Sequence, residues 1–443
     1  MPEGYITKEK NTNQDNRLLD QAIITTLFVF VIFSMFSISV AQIASSLGGA
    51  FWLLRTHLTG TWKKQRWPLG IPFIFFTIAC LVATVNAYDV SYSYKSLKKL
   101  LEILIFFWVV NCVHENRFRD SLSSVLILSA VGASLFGFYQ AWTHGVSTYG
   151  GDADAVDAGL RVEGTMSVYT TFAGLLMIVG VHAFGRVFFH QTVKRWTWVF
   201  IIIILICLLF TLTRQAWCGF LIGFMFLLLV KFKKHWPIML GLVIAGLLLF
   251  SPVIKQLQNM DVPYKELSKP GFILHFKKRI KDMVSGEDQT FKMRLALWHA
   301  GWEIFKDHPL TGCGFRCVDL LHDQYPDPTG YVKKLRGMHN NFIQLAVDTG
   351  ILGLGTWLGI WFCFFRRLYK MGSSPEAAPQ ENWVVFGSAA AVFAFLAGGC
   401  FESSLYDSEL VMLLYFIMAL PFAGSYNRSP FQRSSVTNHN LKG

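Results

Sequence analysis

The stretch GMHNNFIQLAVDTGILG, residues 337–353, marks the boundary on which the fold of this chain depends. Before it lies a long polar stretch, roughly residues 255–338, and after it a predicted membrane span begins at once. The arginines of the polar stretch include Arg279, Arg294, Arg316 and Arg336. A chain that places many cations and a histidine directly before a membrane span is expected to bind an anion at that face of the membrane.

The composition predicts an integral membrane protein. Of 443 residues, 53% are hydrophobic and only 15% are charged, which is more apolar than a soluble domain. A helix that crosses the ~30 Å hydrocarbon layer needs about 20 mostly apolar residues. The stretches that fit best are 23–40, 71–85, 100–113, 121–141, 165–184, 198–211, 220–230, 238–250, 342–365, 384–401 and 410–423, with a shorter one at 41–54. We therefore predict an all-α fold of about twelve transmembrane helices in one domain, residues 1–443.

The distribution of charge predicts the orientation of these spans. Lys and Arg accumulate on cytoplasmic loops. Basic clusters fall on every second connection here, whereas the connections at 150–157 and 401–409 are acidic. The alternation places both termini in the cytoplasm and a large helical loop, residues 253–338, on the far side. It also accounts for the net charge of +12 without a nucleic-acid partner, so membrane lipid is the expected surroundings and no nucleic acid is expected.

The large loop contains a predicted amphipathic helix. Residues 291–305, FKMRLALWHAGWEIF, place Leu295, Trp298, Trp302 and Phe305 on one face. Breakers follow, at Asp307-His308-Pro309 and Gly312-Cys313-Gly314. Cys313 and Cys317 could form a disulfide if the loop faces an oxidising compartment, although only their proximity in sequence points to it.

Two residues at the edges of predicted spans are the main candidates for chemistry. Arg214 lies in LTRQAW, between two apolar runs. An arginine there commonly extends to lipid headgroups, but its planar guanidinium can also hold two oxygens of a phosphate. His339 stands directly before a span, followed by Asn340 and Asn341. A lone histidine is more often structural, but a neutral imidazole can take a proton from a hydroxyl nucleophile, and adjacent amides could fix its tautomer.

Three further residues support these two. Arg294 projects from the amphipathic loop helix, where a solvated charge is the usual role. Arg161, in RVEGTM, could form an exposed ion pair with Glu163 or contribute to the same anion site. Asn340 could orient the histidine ring or a substrate.

Several classes of chemistry lack sequence support. The chain has no phosphate-binding Walker loop and no dinucleotide fingerprint. No Cys/His cluster has the spacing of a zinc site. No Asp-rich motif suited to Mg²⁺ is evident either. We therefore expect no metal or other cofactor, which requires a substrate that already carries a good leaving group.

Four segments of the chain resemble the bacterial superfamily of O-antigen ligases and O-antigen polymerases. HNNFIQLAVDTGILG, from His339, is similar to the family's histidine pattern at the start of a late span. RLALWHAGWEIFKDHPLTGCG, from Arg294, resembles the signature of its outer loop. LTRQAW and RVEGTM resemble the segments that carry its other arginines. The predicted topology agrees along nearly the whole chain.

The resemblance implies a metal-independent glycosyltransferase in the bacterial inner membrane whose active site faces the periplasm. The donor would be a glycan on undecaprenyl diphosphate. The acceptor would be a lipid A-core hydroxyl. His339 and Arg214 would be catalytic, and Arg214 and Arg294, with Arg161, would bind the diphosphate. Asn340 would support His339.

Other functions remain open from the sequence. A polysaccharide polymerase would use the same donor and the end sugar of another lipid-linked repeat, and a protein oligosaccharyltransferase would use a protein hydroxyl. A transporter is the alternative from a different class. The long helical loop, the absence of visible repeat symmetry and the scarcity of ionisable groups inside the spans argue against a transporter.

Overall fold

The computed structural model describes residues 3–144, 161–190, 195–235, 237, 272–285, 289–325, 327–373 and 382–424. Within these ranges the protein is all-α, with short 3₁₀ turns and no β-strand. The helices are α1 (Glu3–Phe33), α2 (Ile38–Leu58), α3 (Gly70–Val85), α4 (Val90–Tyr94), α5 (Ile103–Cys112), α6 (Asn116–His144), α7 (Tyr169–Phe189), α8 (Trp196–Phe210), α9 (Arg214–Lys231), α10 (Phe272–Ser285), α11 (Gln289–Asp307), α12 (Val318–Leu321), α13 (Tyr331–Leu335), α14 (Asn341–Ser373), α15 (Asn382–Gly398) and α16 (Ser408–Ala419).

Four of the described helices are long and apolar enough to cross a membrane, namely α6, α7, α9 and α14. Four shorter apolar segments accompany them, at Gly70–Val85, Trp196–Phe210, Asn382–Gly398 and Ser408–Phe422. The all-α class and the membrane character are thereby confirmed. The count of about twelve spans and the position of residues 253–338 outside the membrane stay predictions, and the predicted span 238–250 lies outside the described residues.

Small residues hold the centre of the helix bundle together. Helix α15 packs against α7 and α9, and its middle reads GSAAA from Gly387. A Cβ atom on Gly185 of α7 would lie 2.4 Å from the Cα atom of Gly387. Larger side chains at this crossing would separate the two backbones. Close approach of helices through small residues is the usual means of association where lipid removes the hydrophobic driving force.

The structure divides two of the predicted spans. Residues 23–40 do not form one helix, because α1 ends at Phe33 and α2 begins at Ile38 after a cap by the Ser37 side chain. The predicted span 342–365 lies within α14 but is interrupted at Gly350, whose φ is 63° and ψ is −164°. That backbone conformation is accessible to glycine and strained for other residues. The first nine residues of α14 therefore form a separate helical segment.

The outer-loop signature fills the break in α14. The backbone N–H groups of Cys313 and Gly314 donate to the carbonyls of Val347 and Asp348, at 3.0 and 3.1 Å. The N–H of Ile351 donates in return to the carbonyl of Pro309, at 2.9 Å. These bonds satisfy backbone groups that the interruption at Gly350 would otherwise leave unpaired. The HPLTGCG and TGILG segments of the sequence therefore form one structural unit.

The described part of the loop has its own small core. The helix predicted at 291–305 is present as α11, Gln289–Asp307. The buried face is not the predicted one: Leu297 and Ile304 are buried and pack with Val318 and Val332 from the segments that follow, whereas Leu295 and Trp302 are 48% and 56% exposed. Cys313 and Cys317 are bonded to each other in this core, with Cα atoms 5.8 Å apart. The sequence left this pairing undecided.

Candidate functional site

Helix α11 joins three segments that are distant in sequence. Thr290, Arg294 and Trp298 are spaced four residues apart, so they share one face of the helix. The Arg214 guanidinium donates to the hydroxyl of Thr290, and the Trp298 indole N–H donates to the carbonyl of Met338 at 3.0 Å. Arg294 Nε donates to the carbonyl of Phe401 at 3.0 Å. One helix face therefore places Arg214, Arg294 and the residue before His339 along a single line.

The backbone of His339 is held in an unusual conformation. Its φ is +45°, in the left-handed region that a non-glycine residue rarely occupies. The following residue, Asn340, caps α14, because its side-chain oxygen accepts from the N–H groups of Phe342 and Ile343 at 2.9 and 3.1 Å. The Asn340 amide nitrogen donates to the carbonyl of Cys400 at 2.9 Å. The surrounding bonds fix a strained residue at the helix start, a feature that is common at functional sites.

The imidazole of His339 contacts the carboxylate of Glu402. His339 Nδ1 lies 2.9 Å from Glu402 Oε1, and Gln215 Nε2 donates to the other oxygen, Oε2, at 3.0 Å. Gln215 directly follows Arg214 in α9. Both oxygens of Glu402 thus have partners, and one carboxylate connects the start of α14 to the start of α9. The His339 and Glu402 side chains remain 28% and 21% exposed, so the pair is accessible.

Burial by itself would raise the pKa of the Glu402 carboxyl. The hydrogen bond from His339, the charges of His339 and Arg294 and the backbone N–H of Ser403 outweigh burial, and together they hold the pKa of Glu402 below its ordinary value. Glu402 is therefore ionised at neutral pH. An ionised carboxylate only accepts hydrogen bonds.

This charge state determines the tautomer of His339. Because Glu402 can only accept, the proton of the neutral imidazole resides on Nδ1. The lone pair is then on Nε2, for which no hydrogen-bond partner exists among the residues that the structure describes. The arrangement leaves a basic nitrogen available to a substrate hydroxyl. It also supplies a negative charge that would stabilise the imidazolium after proton transfer.

The structure corrects the prediction that adjacent amides fix the histidine tautomer. The Asn340 side chain caps α14 and donates to the backbone carbonyl of Cys400, and the Asn341 side-chain oxygen, Oδ1, accepts from the N–H of Leu405 at 3.1 Å. Both side-chain amides therefore bind backbone atoms of α14 and of the 399–407 connection, which faces the start of α14, and neither binds the imidazole. The group on Nδ1 is Glu402 instead.

Arg161 occupies a neighbouring position in the same end of the bundle. It is 9% exposed, so it is not the exposed ion-pair residue that was the alternative. Its guanidinium carbon lies 4.3 Å from the ring centroid of Tyr169, at the start of α7. The hydroxyl of Thr171, in the same turn, donates to Asp407 in the connection that also carries Glu402. The first turn of α7 is therefore attached to that connection.

Sequence reasoning missed Glu402, Gln215, Thr290 and Trp298. Glu402 was noted only as part of an acidic connection that indicated topology. It is 63 residues from His339 in sequence, and no spacing pattern links the two. Gln215 and Thr290 neighbour residues that had been singled out, but their contacts depend on how the helices meet. The hydrogen-bonding capacity of each was visible, but its partner was not.

A family model described as O-antigen ligase matches residues 198–358, a segment that includes Arg214, Arg294 and His339. A protein of Rickettsia felis with the provisional name polysaccharide ligase is 23% identical over 314 residues, which cover 68% of this chain and 69% of that protein. A Rickettsia prowazekii protein with the same provisional name is 22% identical over 312 residues, or 67% of each chain.

A third relative is the exopolysaccharide production protein ExoQ of Rhizobium meliloti, which is 30% identical over 119 residues, 24% of this chain and 26% of that protein. These matches confirm the resemblance that the four motifs indicated. The chain is thus similar to the O-antigen ligase superfamily, through the family model over residues 198–358 and through relatives that match about two thirds of its length. It is a membrane protein with an O-antigen ligase-type role, which indicates an enzyme of the glycosyltransferase type.

Proposed function

We propose that the protein is an O-antigen ligase that transfers a glycan from undecaprenyl diphosphate to a lipid A-core hydroxyl at the periplasmic face of the bacterial inner membrane. The observation that carries the proposal is the junction of His339, Glu402 and Gln215 beside Arg214 and Arg294. A base and one guanidinium group at the starts of membrane helices, with a second guanidinium group from the loop helix α11 beside them, suit a reaction between a hydroxyl and a lipid-linked diphosphate. The family match and the names of the Rickettsia relatives support the same reaction class.

Arg214 and Arg294 act on the donor. As the bond between the anomeric carbon and the diphosphate oxygen breaks, the electron pair leaves with the diphosphate. Guanidinium groups positioned in advance stabilise the charge that develops on the leaving group. Thr290 and the carbonyl of Phe401 accept from these two side chains and so hold them in place. Arg161 assists at the neighbouring turn.

His339 acts on the acceptor. Its Nε2 atom takes the proton of the attacking hydroxyl as the new bond forms between that oxygen and the anomeric carbon. Glu402 keeps the proton of the neutral ring on Nδ1 and stabilises the imidazolium that results. Undecaprenyl diphosphate leaves, and the proton on His339 returns to solvent. Every step uses side chains of this chain, so the transfer proceeds without a metal ion or nucleotide.

The test is a transfer assay with purified full-length protein, lipid-linked donor and lipid A-core, in the presence of a chelator. We expect His339→Ala to lower the transfer rate by about 10²–10⁴-fold, the usual contribution of a general base. Arg214→Lys keeps the charge but loses the planar fork, so it should lose most activity as well. Lys292→Ala is the matched control on α11, because the side chain is exposed.

Donor binding is measured in parallel to separate catalysis from folding. His339→Ala should bind the lipid-linked donor as the wild type does. Near-normal turnover by this variant would refute the role of His339 as the base. Transfer to a second lipid-linked repeat instead of lipid A-core would identify a polymerase, and transfer to a protein hydroxyl an oligosaccharyltransferase.

A further inference from the structure

Arg66 and a basic cluster near the end of α14, neither of which the site uses, come together around one cavity. Arg66 lies in the connection between α2 and α3, and Arg366, Arg367 and Lys370 lie near the end of α14. All four line an open cavity of about 910 Å³. They are separated by 300 residues in sequence, so the folding of α3 against α14 brings them together. Among the lining residues, all of them described, there is no Asp or Glu.

The cavity lies at the opposite end of α14 from His339. Arg366 follows Asn341 by about 25 residues, which corresponds to roughly 35 Å along a helix. Helix α3 runs antiparallel to α14: its first turn lines the cavity, whereas the residues after its last turn contact the outer-loop signature, where the N–H of Tyr88 donates to the carbonyl of Cys313 at 2.9 Å. The cavity is therefore separate from the candidate active site and independent of its function.

The cations at the end of α14 are available to a ligand. Arg366, Arg367 and Lys370 are exposed, and no carboxylate in the described ranges pairs with any of them. Arg66 differs, since its guanidinium donates to the carbonyl of Val110 and its own backbone is bound by the Asn111 side chain. Arg66 is thus a fixed charge on the wall of the cavity, and the other three are free to close on an anion.

The surroundings of the cavity are those of lipid. Ile71 lines it and is 71% exposed, and Ile74 and Phe75 continue the exposed apolar face along α3, at 60% and 58%. Trp67, at the cavity wall, and Tyr369, near the end of α14, are 48% and 75% exposed. Exposed tryptophan and tyrosine at helix ends are typical of the headgroup level of a membrane. A headgroup in the cavity would have its acyl chains along the apolar face.

We infer that this cavity binds an anionic phospholipid, with the phosphate held by Arg366, Arg367 and Lys370 and the acyl chains on the exposed face of α3. The enrichment of cations on cytoplasmic loops alone predicts basic residues at this end, but it does not predict their convergence on one acid-free cavity that opens onto an apolar helix face. The convergence distinguishes a binding site from a general charge bias.

Native mass spectrometry of the full-length protein tests the inference. The protein is released from detergent micelles after titration with dioleoyl phosphatidylglycerol or dioleoyl phosphatidylcholine. A cation near an anionic lipid contributes roughly fivefold in affinity, so the Arg366→Gln/Arg367→Gln variant should bind phosphatidylglycerol about 25-fold more weakly. Its affinity for phosphatidylcholine should change little. Both arginines are exposed, so the substitutions leave the packing of the bundle intact.

The control removes the same charge elsewhere. Lys233 and Lys234 are exposed at the end of α9 and do not line the cavity, so Lys233→Gln/Lys234→Gln should retain wild-type affinity. Equal loss in both double variants would show that net charge rather than this cavity attracts the lipid, and the inference would be wrong. Displacement of phosphatidylglycerol by excess inorganic phosphate would also overturn it, because a site that needs no acyl chains is a free-phosphate site.

Discussion

Replacement of Glu402 by glutamine is the most informative perturbation of the site. Glutamine has nearly the same shape as glutamate, so Gln215 and the 399–407 connection should keep their positions. The change concerns His339 Nδ1, which lies 2.9 Å from the carboxylate in the wild type. A carboxylate only accepts, whereas an amide can present its NH₂ group to Nδ1 and so favour the tautomer with the proton on Nε2. That tautomer cannot accept the proton of a hydroxyl.

The expected magnitude follows from the role of the base. A general base contributes typically 10²–10⁴-fold, and some molecules retain the productive tautomer, so we expect kcat to fall by about 10²–10³-fold. The charge-assisted bond between Glu402 and the imidazolium is lost as well. Because Glu402 touches His339 and Gln215 rather than the donor phosphates, the KM for lipid-linked donor should change by no more than about twofold. Glu402→Asp, which restores the charge, should recover part of kcat.

The assay is steady-state glycan transfer across a range of pH with purified wild-type and variant proteins. Glu409→Gln is the matched control, since it removes a nearby carboxylate, in the first turn of α16, and the carboxylate that contacts His339 is that of Glu402. A rise in KM for the lipid-linked donor alongside the fall in kcat, with no recovery in Glu402→Asp, would indicate a purely structural role for Glu402.

The thermal stability of the wild type and that of Glu402→Gln should also depend differently on pH. The pKa of Glu402 is lower in the folded protein than in the unfolded chain, so ionised Glu402 stabilises the fold. This contribution is complete above the ordinary carboxyl pKa and is lost as pH falls through the lower folded value. The difference in thermal stability between wild type and Glu402→Gln should therefore be largest near neutral pH and shrink on acidification. A difference that grows in acid would contradict the assigned charge state.

Two other predictions concern the fold. Gly350→Ala should lower thermal stability and abolish transfer, because the residue has a φ of +63° and a Cβ atom would lie 2.3 Å from the backbone of Leu310. Gly355→Ala, with open space around its Cβ position, should have little effect. Equal melting temperatures for the two variants would show that the break in α14 is not required. A cysteine in place of the exposed Lys334 should react with a membrane-impermeant thiol reagent in cells with an intact inner membrane. A cysteine in place of Lys234 should react only after that membrane is opened. The reverse pattern of labelling would contradict the proposed topology.

The sequence by itself determined the class of the protein and its main candidate residues. Apolar runs of membrane length predicted helices because the backbone has to satisfy its own hydrogen bonds in lipid. The spacing of Leu295, Trp298, Trp302 and Phe305 predicted α11 because those positions share one helix face. Arg214, Arg294 and His339 were visible as charged or basic groups at the edges of apolar runs, and their local motifs indicated the superfamily.

Only the tertiary structure decided how these residues meet. Glu402 lies on the Nδ1 side of His339 through a contact across 63 residues, and a local pattern carries no information about such a distance. The break at Gly350 was hidden because residues 342–365 are mostly apolar and long enough to be predicted as one span. It exists because backbone from the outer-loop signature supplies the missing hydrogen bonds. The lipid-facing cavity likewise needs α3 and α14 side by side. Periodicity fixes which residues share a helix face, whereas packing of distant helices fixes which faces touch.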